Sequence, residues 1–205
     1  KKQFPLLDNI IEIESIIKEC NNKSVNELLL LEAQAKKIYF NSFDIILEKE
    51  KYHFIKRTKN PPQNEINALL SYGYSLLYAN YISVTDRSRL YSQISFVHSL
   101  TKCSESLQFD LADILKPVLV DRLVLSLCRH KLLKDEYFDY KSDRCYLNKE
   151  GVKFFVEKYE NYLLKTIKIN NRYYSYRNLI SREVHLLSNY IANESNDYKP
   201  YIMKW

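Results

Sequence analysis

Residues 106–122 read Ser106-Leu-Gln-Phe-Asp110-Leu-Ala-Asp113-Ile-Leu-Lys116-Pro117-Val-Leu-Val-Asp121-Arg122. Leu107, Phe109, Leu111, Ile114, Leu115, Val118 and Leu119 make this stretch too apolar for an ordinary surface helix, yet it carries three aspartates. At about 100° per residue, Asp113 lies about 60° from Asp110 and Asp121 about 20° from it, so a regular helix puts all three acids on one narrow ridge. A carboxylate in apolar surroundings is costly unless it is paired, protonated or bound to a metal. Pro117 removes the hydrogen bond to the Asp113 carbonyl, which predicts a kink beside the acids. The helix is expected to run on to about Leu133.

Helical spacing recurs on both sides. Leu6, Leu7, Ile10, Ile11, Ile13, Ile16 and Ile17 define a helix over 4–20, closed by Asn21-Asn22-Lys23. Ser24-Val-Asn-Glu27 is a capping box that opens a long helix to about Leu47. Asn60-Pro61-Pro62 is a clear break, and a further helix follows over about 64–82, in which Gly73 allows either a close helix contact or nothing special. The spacing of Ile94, Phe96, Val97 and His98 predicts a short helix over 91–100. Residues 135–148 alternate weakly and suggest a small hairpin near 137–147. Two last helices are expected over 149–168 and 174–193. The expected fold is all-α, a single multi-helix domain of about seven helices, with residues 1–23 a connecting helix and 24–205 the functional domain.

Composition agrees. The chain has 205 residues, enough for one sizeable core, and only two glycines, which disfavours a turn-rich sheet fold. A net charge of +6 permits nucleic-acid binding without requiring it. Eighteen tyrosines read as compositional bias. The four cysteines form no C-x-x-C pair and read as reduced thiols of a cytoplasmic protein. No apolar run approaches a membrane span, and no signal peptide is recognisable.

Glu32, His98, Asp110 and Asp113 each stand in an apolar context and are the residue types that ligate a divalent ion. Carboxylates with one imidazole suit Mg²⁺ or Mn²⁺, which would activate a hydroxyl and stabilise phosphoryl charge. Each has a plainer reading too: a solvated helix face for Glu32, a core histidine for His98, ion pairs for the aspartates. Spacing does not show whether positions 32, 98 and 110 meet. Lys116, Arg57 and Arg122 are candidate phosphate contacts; Asp121 and Arg122 equally read as members of structural ion pairs.

Taken in order, several segments resemble the C-terminal helical domain of the CRISPR-associated integrase family, the "Cas-one" adaptation proteins. They are Leu31-Glu32-Ala33 through Tyr39-Phe40, Arg57 with Pro61-Pro62, Asn67 through Tyr78, Ile94-Ser-Phe-Val-His98, Ser106 through Asp113, and Lys116-Pro117 through Arg122. Cys145 through Gly151, Ser175-Tyr-Arg177 and Tyr198-Lys-Pro200 extend the match. The details look most like the subtype I-B branch.

The resemblance implies a metal-dependent DNA integrase or endonuclease that inserts spacer DNA by 3′-hydroxyl attack on a phosphodiester. It implies Glu32, His98 and Asp110 as metal ligands, Asp113 as a second catalytic acid, and Lys116 as a DNA contact. It also implies Mg²⁺ or Mn²⁺, double-stranded DNA, a homodimer and a "Cas-two" dimer as partners, and an N-terminal β domain absent from this chain. Leu90-Tyr91-Ser92 departs from the family's Leu-Asp/Asn-Pro turn. A transposon-encoded integrase with the same domain, and a non-catalytic helical DNA-binding scaffold, remain as alternatives.

Overall fold

The computed structural model describes residues 6–48, 50–97 and 105–203. The chain is mostly helical. Helix α1 (Leu7–Glu19) lies along α2 (Val25–Leu47) and buries none of its own residues. The capping box forms as the sequence predicts: the Glu27 amide donates to Ser24 Oγ, and the Ser24 amide donates to Glu27 Oε2 at 2.8 Å. Asn64 caps α3 (Glu65–Thr85), which runs through the centre of the molecule. Ile66, Leu69, Leu70 and Leu77 of α3 are fully buried, together with Leu115, Leu119, Phe155 and Leu179 from the elements around it.

The acid-bearing segment is three elements in one rod: α4 (Leu107–Lys116), a π-helical turn (Pro117–Asp121) and α5 (Arg122–Arg129). Where the sequence predicts a kink the chain makes a π turn instead, in which the Arg122 amide donates to the Pro117 carbonyl five residues back. The rod ends at Arg129, short of Leu133, and Lys131 takes a left-handed conformation with φ 55°. Gly73 allows the close contact considered from sequence, since a Cβ there would lie 2.5 Å from Val120 Cγ1 in the π turn.

Beyond a 3₁₀ turn at Asp135–Tyr137, strands β1 (Phe138–Lys141) and β2 (Arg144–Leu147) form the expected hairpin. Helix α6 (Lys149–Leu163) follows. A second antiparallel hairpin, β3 (Thr166–Ile169) and β4 (Arg172–Ser175), then leads into α7 (Tyr176–Ile191). That hairpin corrects the expectation of helices over 149–168 and 174–193. Thr166, Ile167 and Ile169 favour extended backbone, and Asn170-Asn171 take left-handed φ of 46° and 65°, as a two-residue hairpin turn requires.

The short helix expected over 91–100 is absent from its described part, 91–97, which is turn and bend. The amides of Phe96 and Val97 donate to the Asp110 carboxylate rather than to a helical ladder. Residues 98–104, including His98, lie outside the described residues. Seven α-helices are therefore present among the described residues, but only because the π turn divides one of them. No helix among the described residues is long and apolar enough to cross a membrane.

Candidate functional site

Helices α2 and α3, the segment before Pro61, and the α4–π junction enclose a cavity of about 480 Å³. Glu32, Lys36 and Tyr39 stand on one face of α2 at helical spacing, and Ser71, Tyr74 and Tyr78 do the same on α3. Asp113, Lys116, Pro117 and Asp121 form the third wall, while Arg57 and Lys59 close the side.

The acids and bases alternate across this space. Lys36 Nζ lies 3.0 Å from Asp113 Oδ2 and also pairs with Glu32, so one ammonium sits between carboxylates from two helices. Lys116 pairs with Asp113 from the other side. Burial works to raise the Asp113 carboxyl, but Lys116 and Lys36 outweigh it and hold the group below its ordinary value. Burial lowers the Lys36 ammonium, yet Glu32 and Asp113 leave it raised on balance. Asp113 is thus held as a carboxylate and Lys36 as an ammonium.

Cations rest on the tyrosine faces. Lys116 Nζ is 4.9 Å from the Tyr78 ring centroid and 5.3 Å from that of Tyr74, and the Arg57 guanidinium lies 5.4 Å from Tyr74. Arg57 donates to Asn67 Oδ1 and Ser71 Oγ, both at 3.0 Å, and to the Thr58 carbonyl. Lys59 is lowered first by burial and then by repulsion from Lys36, Arg57 and Lys116, so these four cations feel one another.

Asp121 is 1% exposed and accepts hydrogen bonds from Tyr74 at 2.6 Å and Tyr39 at 2.9 Å. Burial pushes its carboxyl up to about 6, against the opposing pull of both hydroxyls, Arg57 and Lys116. The expectation that Asp121 is a structural partner of a nearby arginine is met only at longer range, through the charge of Arg57; the hydrogen bonds to its carboxylate come from the tyrosines of α2 and α3.

The single ridge of three acids is corrected as well. A π turn accommodates one extra residue, so everything after it lags by about 100°. Asp121 consequently falls in with Asp113, and the two line one cavity without Asp110. Asp110 instead accepts from the amides of Phe96 at 2.6 Å and Val97 at 3.0 Å, the two residues before His98. Arg122 is also outside the cavity, with Nη1 3.7 Å from Met203 Sδ.

Of the residues singled out from sequence, Glu32, Asp113, Asp121, Lys116 and Arg57 come together. Sequence reasoning missed Lys36, Lys59, Tyr39, Tyr74 and Tyr78. Glu32 and Lys36, four residues apart on one helix, were the available signal for Lys36; the tyrosines were hidden by their abundance.

Glu32 and Asp113 fit a hard divalent ion as two oxygen ligands, since they already share a positive charge that Lys36 supplies. Among the described residues, no three His, Cys, Asp or Glu side chains group closely enough to hold an ion.

The family model described as "CRISPR associated protein Cas1" matches residues 2–161. The CRISPR-associated endonuclease Cas1 2 of Thermodesulfovibrio yellowstonii is 33% identical over 207 residues, covering 100% of this chain and 62% of its own. The CRISPR-associated endonuclease Cas1 of Thermotoga maritima is 35% identical over 196 residues, 95% of this chain and 61% of its own. The chain thus spans about three-fifths of the length of these curated relatives. Among solved structures, a Cas1 protein from Thermotoga maritima superposes with a TM-score of 0.81 at 35% identity, covering 89% of this chain and 59% of that one. A casposase bound to integration product has the same fold, with a TM-score of 0.81 at 22% identity over 97% of this chain and 59% of that one.

Proposed function

The chain belongs to the Cas1 family, and we propose that it is the helical catalytic part of a DNA endonuclease and integrase that inserts spacer DNA into a CRISPR array. One observation carries this reading: Glu32 and Asp113 face each other across Lys36 in a cavity that also presents Lys116, Arg57 and Lys59. Carboxylates beside a cluster of cations suit a phosphodiester whose reacting phosphorus gathers negative charge. The names of the curated relatives favour the CRISPR setting over a transposon.

In the proposed reaction a 3′-hydroxyl attacks a phosphorus atom. A new P–O bond forms, the old P–O bond breaks, the attacking hydroxyl gives up its proton and the departing 3′-oxygen gains one. Lys116 and Arg57 hold the phosphate oxygens, each oriented by the Tyr74 ring. Glu32 and Asp113, with His98, are the side chains that would hold Mg²⁺ or Mn²⁺, which supplies Lewis-acid stabilisation of phosphoryl charge. Asp110 is assigned to hold the backbone that leads to His98, through its two accepted amide bonds. The homodimer and the Cas2 dimer belong to this proposal as partners of the full-length protein.

The test is joining of a duplex with free 3′-hydroxyls to supercoiled DNA by the full-length protein with Mn²⁺ or Mg²⁺. Glu32→Ala and Asp113→Ala should each lose at least about a hundredfold. Asp110→Asn keeps an oxygen to accept the two amides and should retain more activity than Asp110→Ala. Unchanged joining in a folded Asp113→Ala or Glu32→Ala variant sinks the proposal; equal loss in both Asp110 variants returns that residue to a ligand role.

A further inference from the structure

The two hairpins are built alike and charged differently. Hairpin β1–β2 balances Lys141 and Arg144 against Asp139 and Asp143. Hairpin β3–β4 carries Lys168 and Arg172, follows Lys165, and lies in a run with no acid at all between Glu160 and Glu183. Among the described residues, none of Lys165, Lys168 and Arg172 has a carboxylate partner within ion-pair distance. The next cation, Arg177, is by contrast already held by Glu160.

These cations stand on a fixed frame with aromatic faces. Ile167 and Ile169 pack against the core, which anchors β3. Lys168 and Tyr173 are opposite each other in register, with the ammonium 6.0 Å from the ring centroid, and Tyr173 is 73% exposed. At the base of the hairpin, Lys165 Nζ lies 5.0 Å from the Tyr162 ring centroid. Arg122, the cation that the cavity leaves out, also acts on the Tyr162 hydroxyl. None of the cavity-lining residues belongs to the hairpin.

We propose that the β3–β4 hairpin is a second DNA contact, separate from the cavity, in which Lys165, Lys168 and Arg172 grip the phosphate backbone and Tyr173 offers its ring to an unpaired base. Unpaired cations interleaved with an exposed aromatic ring are what a strand with phosphates outside and bases free to stack requires. An acidic protein surface would need no such ring. The choice of DNA as the polymer rests on the proposed joining function; the placement of the contact does not.

The probes are a fluorescent 30-base-pair duplex and the same duplex with a single-stranded 3′ overhang, titrated with the 205-residue chain between 50 and 300 mM NaCl. Lys168→Ala/Arg172→Ala should weaken binding to both probes about tenfold and flatten the slope of log K against log salt by about 1.8, at roughly 0.9 per phosphate contact. Tyr173→Ala should weaken only the overhang probe, about fivefold or more, as lost stacking does. All three side chains are exposed, so the fold should survive; circular dichroism checks this. If the double variant keeps wild-type affinity and slope while Lys116→Ala weakens binding, the hairpin proposal falls and the cavity reading stands. If the wild-type chain binds neither probe, both fall.

Discussion

Replacing Asp121 by asparagine removes a charge that the fold buries at a cost. The carboxyl lies under α2 and α3, 1% exposed, and burial pushes it up to about 6 from an ordinary value of 3.8. A carboxyl raised in the folded state favours folding when protonated. Its stabilising contribution is complete below about pH 4 and is lost as the pH rises through about 6. At about 1.4 kcal/mol per pH unit, the separation between 3.8 and about 6 is worth about 3 kcal/mol. Asparagine keeps an oxygen for Tyr39 and Tyr74 but does not ionise. Urea denaturation of both proteins from pH 4 to 7.5 isolates the effect, because every other titrating group cancels in the difference. Wild-type stability relative to Asp121→Asn should fall by roughly 2.5 kcal/mol across that range, nearly all of it between pH 4 and 6, with the midpoint near pH 5. A difference that stays flat with pH, or that grows in the wild type's favour as pH rises, would refute the argument. It would mean that Arg57 and Lys116 together with the hydroxyls fully offset the loss of water.

Two other perturbations probe the frame and the site. A Cβ on Gly151 would lie 2.2 Å from the Tyr137 carbonyl oxygen, and backbone does not yield as a side-chain tip does. Gly151→Ala should therefore lose about 2 kcal/mol net of its helix-propensity gain, a fall of about 6 °C in Tm by thermal denaturation; an unchanged or higher Tm would show that α6 shifts freely. Lys36→Met removes the ammonium seated between Glu32 and Asp113, and should tighten Mn²⁺ binding about fivefold when read by electron paramagnetic resonance without DNA. Weaker binding would show that Lys36 organises the carboxylates rather than competing for their place.

Local signals with a single physical reading survived into the structure. The Ser24–Glu27 capping box forms with both of its reciprocal bonds, and Asn64 caps the helix that begins after the proline pair. Hydrophobic spacing failed where a distant polar group intervened. Nothing between Tyr91 and Val97 reveals that a carboxylate fourteen residues beyond Phe96 takes its amide hydrogen. The β3–β4 hairpin was masked by neighbours: its ten residues lie between two strong helical patterns, and Asn-Asn is a quieter turn signal than Asn-Gly. Both failures are cases of tertiary context overriding a short periodic pattern.

The division of labour among the acids shows how much can hang on one backbone irregularity. Pro117 announces a disturbance, but a proline kink and a π turn send the following side chains in different directions. With a simple kink, Asp121 stays close to the azimuth of Asp110. With one extra residue in the turn it rotates by about 100° and meets Asp113 instead. That rotation places the hydroxyls of Tyr39 and Tyr74 on Asp121, and it leaves the Tyr74 ring presented to both Lys116 and Arg57. A shift in helical phase thus separates the acids into three physical roles: Asp110 bonded to backbone amides, Asp113 charged between two lysines, and Asp121 buried and driven toward protonation. Glu32 joins the second of these through Lys36, at a sequence separation of 81 residues that no periodicity could bridge.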